Sequence, residues 1–194
     1  MGQFLRTHRD VKFDLQTIHH EDLLRKLYER ETDLAVAYEV PPGAALGHQR
    51  LGGGELAVLY READLPDLPP RVDIGVLAGR PLISLAASGP IGQLFTAEVQ
   101  NRGIAVDEVV SARTFHIATA LVRQGVGLTV VDNFTALASL APGLAMRPLA
   151  NPIRFDVNAM YLHDRPPTAL TTAFLKVLAR RIEAVSPLPE DRGA

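Results

Sequence analysis

Residues 82–95, LISLAASGPIGQLF, decide how this chain is read. An apolar run meets Ser88, Gly89 and Pro90, and beyond them Ile91, Leu94, Phe95 and Val99 share one stripe at helical spacing. A buried strand, 81–87, therefore turns straight into a helix over 90–102, which Gly103 ends. The pattern repeats downstream. A strand is expected at 104–112, then a helix capped by Thr114 with Ile117, Leu121 and Val122 inward, stopped at Gly125. LTVVD (128–132) is the next strand and NFTALASLAP a short helix. Residues 144–163 supply two more strands, and a last helix runs from Thr168 to Val185 with Leu170, Phe174, Val177, Leu178 and Ile182 at helical spacing. Such alternation predicts an α/β protein with mostly parallel strands.

Upstream, VKFDLQTI (11–18) alternates apolar and polar residues and reads as a strand with Val11, Phe13, Leu15 and Ile18 toward the core. EDLLRKLYERET then sets Leu23, Leu24, Leu27 and Tyr28 at helical spacing, and LAVAYEV (34–40) is a short strand closed by Pro41, Pro42 and Gly43. A strand pair or one long strand follows near 48–62. Gly52, Gly53 and Gly54 interrupt it, which suits a turn or bulge better than regular ladder. DLPDLPPR is a proline-broken link, so a lobe boundary is placed near 62–70.

The chain of 194 residues is 47% hydrophobic and 22% charged, enough for one sizeable core or two small lobes. It has no cysteine, which excludes disulfides, thiolate metal sites and cysteine nucleophiles. No apolar run approaches the roughly 18 residues of a membrane span, and MGQFLRTHRD lacks a secretory core, so the cytoplasm is expected. A net charge of −2 gives no basic footprint for nucleic acid.

Three windows together resemble the C-terminal effector-binding domain of LysR-type transcriptional regulators. They are QFLRTHRDVKFDLQTIHHEDLLRKLYERETDLAVAYE with Asp33-Leu34-Ala35-Val36, TFHIATALVRQGVGLTVVD with Gly125-Val126-Gly127-Leu128, and AMRPLANP paired with AMYLHDRPPTALTTAFLKVLARRI. The resemblance covers roughly residues 3–185. It implies an α/β, two-lobed periplasmic-binding-protein-like fold (type 2) with two crossover strands and a small effector in the cleft between the lobes. Lobe I would be 1–62 plus 150–194, and lobe II 63–149. The family's winged helix-turn-helix, first strand and most of its first helix find no counterpart, so the fold is expected as an N-terminally truncated version. DNA would then be reached only through an absent N-terminal helix-turn-helix. The resemblance also implies a bacterial homodimer or tetramer, with an interface along helix 21–31 and helix 115–124. No cofactor is expected, and no metal, since adjacent His19 and His20 project in different directions and a third ligand would be needed.

The effector-binding candidates sit where strands turn into helices. A helix N-terminus offers unpaired N–H groups to an anion, so Ser88, Gly89, Pro90 and Ile91 are candidates, their alternative being a plain cap and turn. The resemblance places this junction on the effector cleft. His19 and His20 stand at the matching junction of lobe I, either as cleft lining or as a solvated helix start. Thr114 reads as a cap and Phe115 as a staple or hinge contact, both bordering the cleft by resemblance. Asp132 and Asn133 end a strand, and Asp132 either shapes effector choice or caps the next helix. Asp107, Glu108, Arg113, Arg123, His116 and His163 suggest no chemistry.

No Gly-x-Ser-x-Gly elbow, Walker loop or His-Glu-x-x-His pattern occurs. The resemblance implies a sensor domain rather than an enzyme. The alternatives are a transporter's solute-binding protein and an enzyme on the same scaffold, whose only acid–base candidates are His19 or His20 with Asp132.

Overall fold

The computed structural model describes residues 1–40, 46–85 and 89–186. In chain order the elements are α1 (Gly2–Thr7), α2 (His20–Tyr28), β1 (Ala35–Tyr38), β2 (Leu46–Arg61), two 3-10 turns (Glu62–Asp64 and Ile74–Leu77), β3 (Pro81–Ser84), α3 (Pro90–Asn101) and β4 (Asp107–Ser111). They continue with α4 (Phe115–Arg123), β5 (Thr129–Asp132), α5 (Asn133–Ser139), β6 (Leu144–Pro148), β7 (Arg154–Leu162) and α6 (Ala169–Val185). Two compact units result. One comprises Met1–Gly53 with Asp156–Ser186, the other Gly54–Phe155. The changeover falls inside β2 and β7, so each of these long strands belongs to both units, as the two expected crossovers.

In unit 1, β1 pairs antiparallel with β7, matching Ala35 to Met160 and Tyr38 to Val157. Leu23 and Leu27 of α2 meet Ala35, Leu46 and Met160 in one buried cluster, each leucine contributing about 1.5–3 kcal/mol by leaving water. Tyr28, expected inward with them, lies half exposed.

Segment 11–18 is not a strand. A strand persists only where a neighbour completes its ladder, and none does so here. Val11 and Phe13 are half-buried because Phe13 joins the rings of Phe4 and Phe174, at centroid distances of 6.1 and 5.0 Å, while Leu15 points to solvent. In α6 the inward residues are Leu175 and Ile182, and Leu170 is exposed.

In unit 2, β2 pairs antiparallel with β5 (Leu56 opposite Asp132) and with β6 (Val58 opposite Arg147), and β3 pairs parallel with β4. The expectation of mostly parallel strands thus fails, because β1 with β7 and β2 with β5 and β6 all pair antiparallel. The alternating β-α units do run parallel among themselves, with a further parallel bridge from Leu82 to Leu128, but β2 enters in the opposite sense. Ala57, Leu59, Ile83, Leu85, Ala118, Val122, Val131 and Ala136 form the core beneath α4 and α5. Tyr60 is buried in β2, and that burial pushes its phenol above the ordinary value, with Arg147 opposing; it stays a neutral core ring.

The glycine triplet is neither turn nor ladder break, since β2 runs unbroken through it. Close approach explains two of the glycines. A Cβ on Gly52 would stand 2.6 Å from Ile182 Cγ2, and one on Gly54 would collide with Asn133 Oδ1 and lie 2.5 Å from Phe155 Cζ.

Candidate functional site

Three helices of unit 2 begin directly or within a few residues after a strand or turn, and their first turns differ in what satisfies them. At α4, Thr114 is the cap: its Oγ1 accepts from Ile117 N at 3.3 Å, and Phe115 packs its ring against the core. At α5, the carboxylate of Asp132 takes that place. Fully buried, it accepts from Thr135 N at 2.8 Å and from the Thr135 hydroxyl at 2.7 Å, one bond per oxygen. An anion of the protein's own already occupies this helix start, which is favourable there and excludes a second one.

The start of α3 has no such device. Gly89 is the cap residue, without a side chain to offer, and Pro90 follows at the first helical position. Gly89 sits at φ 107° and ψ −153°, a region open to glycine and strained for any other residue. The first intrahelical bond there is Gln93 N to Gly89 O. Among the described residues nothing accepts from Ile91 N or Gly92 N, while the Ile91 side chain is buried and holds the turn to the core. Ser88, the residue with the hydroxyl, lies outside the described residues.

In unit 1, His19 is the cap residue of α2, exposed and without a side-chain bond to the helix. His20 is the first residue of that helix, and its side chain lies outside the described set. Among the described residues no group of three His, Asp or Glu side chains is placed to hold a metal ion.

Sequence reasoning missed a polar group behind the Asp132-Asn133 junction. Asn133 Oδ1 accepts from Glu55 N at 3.2 Å, so α5 is tied to β2. The Glu55 carboxylate, almost wholly buried, receives both ends of the Arg71 guanidinium at 2.9 and 3.0 Å, and Arg71 also donates to Leu149 O at 2.9 Å. One guanidinium thereby joins β2, the link after it and the end of β6. The available signal was a carboxylate inside the apolar run GELAVLY; its partner, beyond a proline-broken link, gave none.

The comparisons agree with this arrangement. The family model described as the LysR substrate binding domain matches residues 1–183. A curated relative, the HTH-type transcriptional regulator DgcR of Pseudoalteromonas sp, is 29% identical over 182 residues, covering 94% of this chain and 62% of its own length. The chain thus spans about three fifths of that relative. Among solved structures, the regulatory domain of Synechocystis PCC6803 CcmR in complex with 2-PG superposes with a TM-score of 0.75 at 18% identity, over 97% of this chain and 90% of that one. The effector binding domain of QuiR in complex with shikimate gives a TM-score of 0.75 at 16% identity, over 95% and 88%. These likenesses show the two-lobed periplasmic-binding-protein-like fold, and the matched model shows the lineage: the chain belongs to the LysR substrate binding domain family.

Proposed function

We propose that this chain is the effector-sensing and self-associating part of a cytoplasmic LysR-type transcription regulator, and that its effector is a small anionic metabolite. The two compact units are its two lobes. The anion is held at the start of α3 by Ser88, Gly89, Pro90 and Ile91, with Thr114 and Phe115 bordering the approach. Asp132 and Asn133 act from behind by fixing α5 and β2. His19 and His20, at the start of α2 in the other unit, are further candidate donors. The contrast among the three helix starts carries this reading: two have a side chain of their own on the first-turn N–H groups, and α3 has none among the described residues. Unpaired N–H groups at the positive end of a twelve-residue helix favour a carboxylate or phosphate.

Supporting the choice of anion, two structural neighbours are complexes with 2-PG and with shikimate. Both oxygens of Asp132 accept from Thr135 in the first turn of α5, which supports a capping role for this residue. DNA contact is assigned to polypeptide outside residues 1–194, in keeping with the net charge of −2. No described helix is long and apolar enough to cross a membrane.

The test is a thermal-shift panel of small carboxylates and phosphate monoesters on the whole chain. A ligand at about a hundred times its Kd adds roughly 2.7 kcal/mol, which raises the midpoint by about 5–10 °C for a chain of this size. Ser88→Ala should cut that shift by more than half. A panel that moves nothing would overturn the effector, and an equal shift in Ser88→Ala would remove Ser88 from the site.

Self-association is proposed along α2 and α4. Tyr28 on α2 and Ile117 on α4 stand 49% and 50% exposed, large apolar side chains that a partner surface would cover. Ile117→Asp is expected to halve the mass seen by light scattering while leaving the far-UV spectrum unchanged; a monomeric parent, or an unaltered dimer in the variant, would count against the α4 surface.

A further inference from the structure

The buried middle of β7 carries one amide among apolar side chains. In VNAM (157–160) Asn158 is only 6% exposed, yet among the described residues its side chain has no hydrogen-bond partner. Neither of its polar atoms is sealed off, since no fully enclosed side-chain nitrogen or oxygen among the described residues lacks a partner. A carboxamide held under apolar cover, with donor and acceptor both unspent, is costly to bury and open to a ligand.

Its surroundings follow from strand alternation within unit 1. Asn158 shares a face of β7 with Asp156 and Met160. On one side it lies opposite Ala37 of β1, whose methyl group offers no hydrogen bond. On the other side runs β2, where Leu46 joins the cluster of Met160 and Arg50 Nε donates to Asp156 Oδ1 at 2.8 Å. His48, between Leu46 and Arg50 on that face, therefore stands beside Asn158; it is exposed and has no side-chain bond among the described residues.

Charge does not select the ligand here, because the Asp156 carboxylate already answers the Arg50 guanidinium. The amide does. Asn158 Oδ1 requires a donor and Nδ2 an acceptor, side by side in one plane. A carboxylate supplies acceptors only, whereas an N–H adjacent to a C=O supplies both groups at the matching separation. The methyl group of Ala37 and the imidazole of His48 flank that edge with surfaces suited to a flat molecule. We propose that Asn158, flanked by Ala37 and His48, is a binding site in unit 1 for a small neutral molecule with a planar amide edge, as in a primary carboxamide or a nucleobase. The site is separate from the anion site at α3 and takes a different chemistry.

The experiment titrates the whole isotope-labelled chain with nicotinamide, uracil or nicotinate and reads the side-chain amide of Asn158 and the backbone amide of Ala37 by two-dimensional NMR. Nicotinamide or uracil should move both signals, with half-saturation at roughly 1 mM or below. Nicotinate keeps the ring but lacks the donor, and should move neither. A response to nicotinamide alone assigns the site to carboxamides, and one to uracil alone assigns it to nucleobases. Asn158→Leu keeps the size of the side chain and should weaken the Ala37 response at least about tenfold, the loss of two ordinary hydrogen bonds. His48→Ala, at an exposed position, should weaken it too, and decides alone if the leucine variant does not fold. No response to either amide, an equal response to nicotinate, or an undiminished response in the folded variants would overturn the proposal and leave Asn158 to water.

Discussion

Arg71→Met lowers the stability of the chain by about 3 kcal/mol, a fall of roughly 6–12 °C in midpoint for a protein of this size. The substitution keeps the apolar stem and deletes the guanidinium, so the loss is electrostatic and not one of volume. The almost wholly buried Glu55 carboxylate loses both of its bonds to Arg71, and Leu149 O loses its donor. An unpaired buried charge costs more than the pair contributed, because desolvation is then uncompensated. The double variant Glu55→Leu with Arg71→Met should accordingly recover most of the loss, which a chemical-denaturation cycle of the four proteins will measure. A single-variant loss under about 1 kcal/mol would show that water reaches Glu55, as at an exposed pair.

Gly54→Val has the second largest expected effect, about 2–3 kcal/mol by urea denaturation, with Gly54→Ala between it and the parent. Valine favours strands, so propensity alone predicts a gain at this position of β2. Packing decides the other way. The first added carbon meets Asn133 Oδ1 and the Phe155 ring, and the two further methyl groups have nowhere to go unless Asn133 gives up its bond to Glu55 N. Tolerance of valine within about 0.5 kcal/mol would mean that α5 can move away from β2 without cost.

How much of the molecule was legible beforehand can be judged from these positions. Thr114, Asp132 and Thr168 all cap the helices that follow them, and Gly103 and Gly125 end theirs in left-handed conformations. Each signal lies within four residues of its effect, and for that reason it reads directly. The proposed anion site was visible to the same extent, as a glycine and a proline at a helix start. That α3 alone among three starts lacks a side-chain cap among the described residues depends on two bonds from Thr135 to Asp132, and those required coordinates.

Pattern was misleading where a partner was needed. Segment 11–18 alternates faithfully and forms no ladder, because period-two spacing states which face is apolar and not whether a neighbouring strand is present. Ile117 and Leu170 fit helical stripes and still face solvent, since a stripe points inward only where another element covers it.

From residue 20 onward the amino-acid order by itself settled the succession of strands and helices, several of their caps and stops, and the α/β class, since these follow from contacts among near neighbours along the chain. Tertiary structure alone decided that β2 runs unbroken through three glycines, that Arg71 joins Glu55 to Leu149 O, and which of three similar helix starts has no side chain on its first-turn N–H groups among the described residues. Those outcomes depend on residues brought together from up to about 130 positions apart, where burial and desolvation, and not local preference, set the energy.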